Sequence, residues 1–283
     1  MLWGVLLLAV LAAEIVALSR SENRLVERHL AAARHAAAIH TAVAWAAQRL
    51  LDVRLERRLP IDGSPTSFEF AGQHIEVSAT LEAGRIDLNN SSDELLGALL
   101  RSQGLSEVDA TRWLATLRDW QDSDDERRLD GAEWADYRAA GLRYGPRNAP
   151  LKSVDELQML LGMPETLAKC LASASTVYTW APVPNVQHLT PESRRVLAWA
   201  DRHQVGSHRW LPENIGGSPE SVPLAGQVIR LRIRLFEDAK RTSSVSEVVG
   251  RLRAGRGRPW LTIAIGRVDA NDGIDCDGPN IIQ

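Results

Sequence analysis

The chain has 283 residues, of which 45% are hydrophobic and 24% charged, and its formal net charge is −3. This length allows one large domain or two ordinary ones, and the composition excludes wholesale disorder. A pI near 6.2 excludes the globally basic surface that is typical of nucleic-acid-binding proteins.

An apolar run opens the sequence, from Met1 to Leu18, and only Gly4 and Glu14 interrupt it. The run has about the minimum length needed to cross a bilayer, so we expect it to enter a membrane. A cleaved signal peptide is the alternative, but it requires a charged segment first, and none precedes the run. Arginines and glutamates alternate after the run and leave its orientation open.

The segment from Glu14 to Arg58 contains neither proline nor glycine and is rich in helix-forming residues. Pro60 and Gly63 then interrupt any helix. Apolar residues recur at 4-3-4-3 spacing, which predicts one apolar stripe: Ile39, Val43, Ala46, Leu50 and Val53. The sequence therefore predicts one long N-terminal helix over residues 1–58.

Alternating apolar and polar residues predict strands on both sides of the middle of the chain. The segment "SFEFAGQHIEVSATL", 67–81, alternates around a glycine and predicts a hairpin. The segment 228–236 alternates apolar residues with three arginines, and 259–268 is another strand candidate. Both segments are typical of half-buried strands.

Between these strands, roughly residues 90 to 210 have the spacing and N-terminal cap residues of helices. We expect the aromatic residues of this unit to form its core: Trp113, Trp120, Trp134 and Tyr137.

We therefore predict an α+β fold in which the long N-terminal helix packs on an antiparallel sheet. Residues 59–88 and 215–283 would form the sheet domain, and 89–214 a large helical domain inserted between its strands.

The sequence contains no catalytic pattern. Its seven histidines form no HExxH pair, and no GxSxG turn is present. We therefore do not expect an enzyme. Cys170 and Cys276 fit no CxxC or zinc spacing, and their pairing in an oxidising compartment stays open.

Seven carboxylates crowd into the fifteen residues from Asp119 to Glu133. With Asp122 as position 1, the ligand positions of an EF-hand-type loop fall on Asp124, Glu126, Arg128 through its carbonyl, Asp130 and Glu133. Arg127 occupies position 6, where that loop requires glycine, which argues against a true EF-hand. These residues alone favour a solvated loop partly neutralised by arginine.

Several short motifs that follow the apolar run resemble those of one known family, the K-type minor pseudopilins of bacterial type II secretion systems. They span about a quarter of the chain: Gly84-Arg85-Ile86-Asp87-Leu88-Asn89, Asp119-Trp120, Asp122-x-Asp124, Gly131-Ala132-Glu133, Tyr137, Asn148-x-Pro150-Leu151, Ser153 and Glu156-Leu157.

The resemblance implies a pilin-like fold at the tip of a periplasmic pseudopilus. There the protein would initiate or cap assembly with the I- and J-type minor pseudopilins, for export of folded proteins. It would cross the bacterial inner membrane once, with its globular part in the periplasm. The basic prepilin leader of the family is missing before the apolar run, as in a late start or a processed form.

The resemblance also implies calcium in the acidic loop. The residues that match the family's motif are Asp122, Asp124 and Glu133, and the neighbouring carboxylates are further candidates: Asp119, Asp125, Glu126 and Asp130. The acidic tail "DANDGIDCDG", 269–278, is a poorer candidate.

The second functional hypothesis is a helix-hairpin-helix-like nucleic-acid-binding protein or a competence-type membrane protein. It depends on a weak internal repeat between "RIDLNN", 85–90, and "PNVQHL", 184–189. A phosphate grip requires glycine-rich hairpins that present N–H groups within a basic surround, and these segments supply neither. We therefore expect no nucleic-acid partner.

Overall fold

The computed structural model describes residues 2–207, 209–212, 223–238, 241–255, 257–268 and 276. At 2, 5–13, 15–23, 237–238, 241–243 and 267–268 it describes the backbone alone. The helices are α1 (Leu2–Leu50), α2 (Asp93–Arg101), α3 (Glu107–Gln121), α4 (Trp134–Ala139), α5 (Glu165–Ala174) and α6 (Pro191–Arg202). The strands are β1 (Thr66–Phe70), β2 (Gln73–Leu81), β3 (Ile86–Asp87), β4 (Ser175–Thr176), β5 (Val228–Asp238), β6 (Arg241–Leu252) and β7 (Trp260–Val268). Short 3₁₀ helices lie at Leu55–Arg57, Glu82–Gly84, Val154–Met159 and Val186–His188.

Helix α1 packs its C-terminal third on the sheet. The buried face is mostly alanine, which lets the helix approach the strands closely: Ala38, Ile39, Ala42, Ala46, Ala47 and Leu50. Within the described part of the chain, no helix is both long enough and apolar enough to span a membrane. The side chains of the run predicted to enter a membrane, Met1 to Leu18, lie almost entirely outside the described ones.

The predicted helix end at Arg58 is wrong, because α1 ends at Leu50. Asp52 offers the backbone other partners: its Oδ1 accepts a hydrogen bond from the Arg54 amide at 3.0 Å, and its carbonyl accepts two from the Arg58 guanidinium. Such local bonds compete with helical ones. Val53, which was predicted to lie on the apolar stripe, is 89% exposed as a result.

A five-stranded antiparallel sheet has the order β1-β2-β5-β6-β7. The predicted hairpin is confirmed, with its turn at Ala71 and Gly72, both of which have positive φ. The alternation in β5 is confirmed for Leu231, Ile233 and Leu235, which share a core with α1. Ile229, and not Val228, continues this face. The α+β class, with a long N-terminal helix on an antiparallel sheet, is therefore confirmed.

The middle of the chain forms a helical unit with its own core, built from α2 to α6 and the short parallel pair β3–β4. Three helices begin at cap residues whose side-chain oxygen accepts a backbone hydrogen bond: Ser92, Ser106 and Thr190. The predicted domain limits at 58, 88 and 214 stay predictions, and residue 214 lies outside the described residues.

Of the aromatic residues expected in this core, Trp113, Trp120 and Tyr137 are buried there. The expectation for Trp134 is wrong, because its side chain is 46% exposed. Its ring covers the backbone of Gly145, where a Cβ atom would lie 1.7 Å from the ring. Trp134 thus lies at the surface, where its ring packs directly on the backbone of Gly145.

A buried ion cluster joins the sheet to the helical unit. Glu82, which follows β2, is fully buried, and its carboxylate accepts hydrogen bonds from Arg230 of β5 at 2.7 and 3.2 Å. Arg85 lies 3.6 Å from the same carboxylate, and Thr176 of β4 donates its hydroxyl to it. Glu247 of β6 contacts Arg230 at 3.1 Å from its partly exposed side.

The charges of this cluster compensate one another. Burial alone would raise the pKa of Glu82, but the charges of Arg230 and Arg85 outweigh it and lower the pKa. Burial and the nearby charge of Arg230 lower the pKa of Arg85 to about 10. The cluster therefore stays ionised at neutral pH and holds strand β5 against the segment that enters the helical unit.

Candidate cation site

The acidic loop, residues 122–133, connects α3 to α4. Asp119 on the last turn of α3 is fully buried, and Glu133 just before α4 is 4% exposed. The carboxylates between Asp124 and Asp130 are exposed to solvent. The carboxylates at the two ends of the loop, Asp119 and Glu133, are therefore buried, and we call this region the buried base of the loop. The outer part of the loop is solvated.

Arg128 neutralises part of this buried base. Its guanidinium donates to Asp119 Oδ1 at 3.0 Å and to Asp122 Oδ2, and its backbone amide donates to both Asp119 oxygens at 3.3 Å. Close packing is required here, since a Cβ atom on Gly131 would lie 2.0 Å from Asp119 Oδ2. The glycine thus lets the chain turn past the buried carboxylate.

Four buried side-chain oxygen atoms, three at this base and one on Asn148, have no hydrogen-bond partner among the described residues. They are both carboxylate oxygens of Glu133, Oδ1 of Asp122 and Oδ1 of Asn148. Burial, and after it the charges of Asp119, Asp122 and Asp125, raise the pKa of Glu133 to about 7. Unpaired buried acceptors are costly, so the base is short of positive charge and of hydrogen-bond donors.

The structure separates the three predicted ligands into two groups. Asp122 and Glu133 belong to the buried base, whereas Asp124 is exposed and its Oδ1 accepts a hydrogen bond from the Glu126 amide at 2.9 Å. Among the described residues, no three His, Cys, Asp or Glu side chains lie close enough together to hold one metal ion. The ligand set Asp122, Asp124 and Glu133 therefore stays a prediction.

One residue of the site was not anticipated as a candidate ligand. Asn148 donates from Nδ2 to the Asp124 carbonyl and to Asp125 Oδ1, both at 3.0 Å, and so fastens the outer part of the loop. Its φ of 51° is positive, in the region where asparagine is tolerated better than most residues. The sequence feature that could have indicated Asn148 is its place in the motif Asn148-x-Pro150.

The chemistry of these residues fits a hard divalent cation. All the unpaired acceptors are carboxylate or amide oxygens, which are the ligands that calcium prefers over sulfur or nitrogen. Burial and then the charges of Asp119, Asp122 and Asp125 raise the pKa of Glu133, and a bound cation would offset the repulsion among these charges.

The region that contains this loop is similar in sequence to known proteins. Residues 78–179 match the family model described as Type II secretion system (T2SS), protein K. A type II secretion system protein K from Klebsiella pneumoniae is 32% identical over 111 residues, which cover 37% of this chain and 32% of that protein. The chain thus aligns with about a third of that relative's length.

A likeness of fold extends over most of the chain. It relates the structure to a chain in the crystal structure of the GspK-GspI-GspJ complex from the type 2 secretion system of enterotoxigenic Escherichia coli. The match has a TM-score of 0.59 at 15% sequence identity and covers 89% of this chain and 99% of the other. The acidic loop, helices α2 to α5 and the strands β3 and β4 all lie within the residues that match the family model. Residues 78–179 are therefore similar in sequence to the type II secretion system protein K family.

Proposed function

We propose that the protein is a minor pseudopilin of a type II secretion system and has a structural role in the export of folded proteins. One observation carries the proposal. Residues 78–179 match the protein K family model, and 89% of the chain shares its fold with a chain from a complex of such a system. The family consists of components of the secretion machinery, which favours assembly over catalysis.

The proposed partners are the I- and J-type minor pseudopilins and the pseudopilus itself. The similar solved structure is a complex named GspK-GspI-GspJ, and the comparable fold makes equivalent partners the simplest expectation for this chain. The helical unit is inserted between β2 and β5. We expect this insertion to widen one end of the subunit. A widened end obstructs a repeating filament and suits a terminal, tip position.

The nucleic-acid alternative receives no support. A helix-hairpin-helix grip would need free amide groups in "RIDLNN", but Asp87 Oδ1 already accepts from the amides of Asn89 and Asn90 at 3.0 and 3.1 Å. Asp87 Oδ2 accepts from the Thr179 and Trp180 amides. A carboxylate thus occupies the donors that would have to face phosphate.

The N-terminal segment is proposed to anchor the protein in the inner membrane, with the globular part in the periplasm. The support is the apolar run Met1 to Leu18 and the stretch of α1 that follows it, residues 24–34, which are all exposed. That exposed stretch of α1 is available for packing against partner helices.

Deleting residues 1–18 tests this anchor. Because the sheet core uses α1 only from Ala38 onward, the truncated chain should fold normally and remain in the soluble fraction. Fractionation of cells that lack the partner proteins checks the result, with the full chain as the control. Recovery of the truncated chain in the membrane fraction would contradict the anchor.

Calcium is proposed to bind at the acidic loop. Asp122 and Glu133 would hold it at the buried base and Asp124 from the outer part. The carboxylate of Asp119 and the side-chain Oδ1 of Asn148 are additional candidate oxygens. A bound cation would offset the repulsion among these carboxylates and fix the loop between α3 and α4. The loop would thus be a structural element of the helical unit.

A further inference from the structure

The two cysteines are joined in a disulfide that is exposed very unequally at its two ends. Cys170 of α5 is 1% exposed and belongs to the core of the helical unit. Cys276, whose Cα lies 5.6 Å from that of Cys170, is only partly buried. The bond connects positions 106 residues apart, and so fastens the chain beyond β7 to the helical unit.

An open cavity leads to the exposed end of this bond. It has a volume of about 650 Å³ and lies between the ends of α2 and α5, one face of α6 and the segment around Leu211. Cys276 is part of its wall, whereas Cys170 is not. A small molecule in the cavity can therefore approach the Cys276 end of the bond, while the helical core covers Cys170.

This asymmetry decides the chemistry of thiol–disulfide exchange. An incoming thiolate attacks one sulfur of a disulfide, and the other sulfur leaves as a thiolate, so the outcome depends on which sulfur is accessible. We propose that Cys276 is a thiol-exchange site, at which external thiols such as glutathione or the active-site thiol of an oxidoreductase form a mixed disulfide.

The exchange proceeds in two balanced steps. An external thiolate bonds to Cys276 Sγ, the Cys170–Cys276 bond breaks, and Cys170 Sγ takes the electron pair and then a proton from water. A second external thiolate attacks the mixed disulfide, releases the Cys276 thiolate and leaves as an external disulfide. The protein gains two electrons and two external thiols lose them. In the reverse direction, Cys170 is the resolving thiol that displaces the external group from Cys276.

The test uses the oxidised full chain in mild detergent with reduced glutathione as the probe. After acid quenching and digestion without reductant, mass spectrometry locates the adduct. The glutathione adduct on Cys276 should exceed that on Cys170 at least ~10-fold under native conditions, and the two should become similar in urea. A native adduct mainly on Cys170, equal adducts on both, or no native adduct at all would each overturn the proposal.

Alkylation of single variants gives a second readout that needs no exchange reaction. In Cys170→Ser the remaining thiol of Cys276 should react with iodoacetamide at least ~10-fold faster than the thiol of Cys170 in Cys276→Ser, because only the first is accessible. Denaturant should abolish the difference. Equal rates in the two folded variants would contradict the assigned accessibility, and circular dichroism establishes that both are folded.

Discussion

Glu82→Gln is expected to lower the free energy of unfolding by about 3–5 kcal/mol, the range for removing one partner of a buried ion pair. Glu82 is fully buried between Arg230 and Arg85, and both arginines are 8% exposed. Without the carboxylate, two positive charges would remain buried next to each other. Urea unfolding of wild type and variant at pH 7 measures the difference.

Glu247→Gln is the matched control, since Glu247 contacts the same arginine from a partly exposed position. This substitution should lower the free energy of unfolding by no more than about 1 kcal/mol. The effect of Glu82 also has a defined pH window. Its folded-state pKa lies below the ordinary 4.5, so the stabilisation is present above pH 4.5 and is lost as the pH falls further. Equal losses for the two variants would contradict the assignment of Glu82 as the centre of the cluster.

Calcium is expected to stabilise the folded protein by about 3 kcal/mol at a hundredfold excess over its dissociation constant. For a chain of this size the melting temperature should rise by roughly 5–10 °C. The physical reason is that a divalent cation supplies the charge missing at the buried base, where both oxygens of Glu133 lack partners among the described residues. Thermal melts with calcium and with chelator measure the difference.

Three controls make this experiment specific. An equal ionic strength of sodium chloride should hardly change the melting temperature, because it screens exposed charges without binding the site. Asp124→Ala and Glu133→Ala should abolish the response. Glu94→Ala removes an exposed carboxylate elsewhere, on α2, and should leave the response intact. An unchanged melting temperature on chelation of the wild type would exclude the site.

In the metal-free protein, the free energy of unfolding should depend on pH through the titration of Glu133. Its pKa is raised from 4.5 to about 7, first by burial and then by Asp119, Asp122 and Asp125. The associated stabilisation is present below pH 4.5 and is lost as the pH rises through 7. Measured with a chelator present, Glu133→Gln should no longer lose stability between pH 4.5 and 7. An unchanged pH dependence in this variant would assign the effect to other groups.

Much of the architecture could be predicted from the sequence because it depends on local periodicity. The alternation in β5 and the glycine turn between β1 and β2 are visible within a few residues, and so are the serine and threonine caps of the helices. The predicted end of α1 was wrong because Asp52 forms hydrogen bonds with Arg54 and Arg58. A count of helix-forming residues does not include such bonds.

The ion cluster could not be predicted, since it joins residues far apart in the sequence. Arg230 looked like one of three exposed arginines on a strand, and only the fold places it against Glu82, 148 positions away. The acidic loop was recognised as a crowd of carboxylates, but its division into a buried base and a solvated part depends on where α3 ends. Arg128 was expected to neutralise the loop in part, and its pairing with Asp119 and Asp122 agrees with that expectation.

The central claim is membership in a secretion assembly, and the composition of the purified complex tests it most directly. The full chain would be produced together with the I- and J-type minor pseudopilins and the major pseudopilin of its own system, then purified through a tag on the J-type protein. Native mass spectrometry should find this chain with the I- and J-type proteins at one copy of each, the stoichiometry of a tip. Absence of this chain from the complex, or many copies of it as in a filament shaft, would contradict the account.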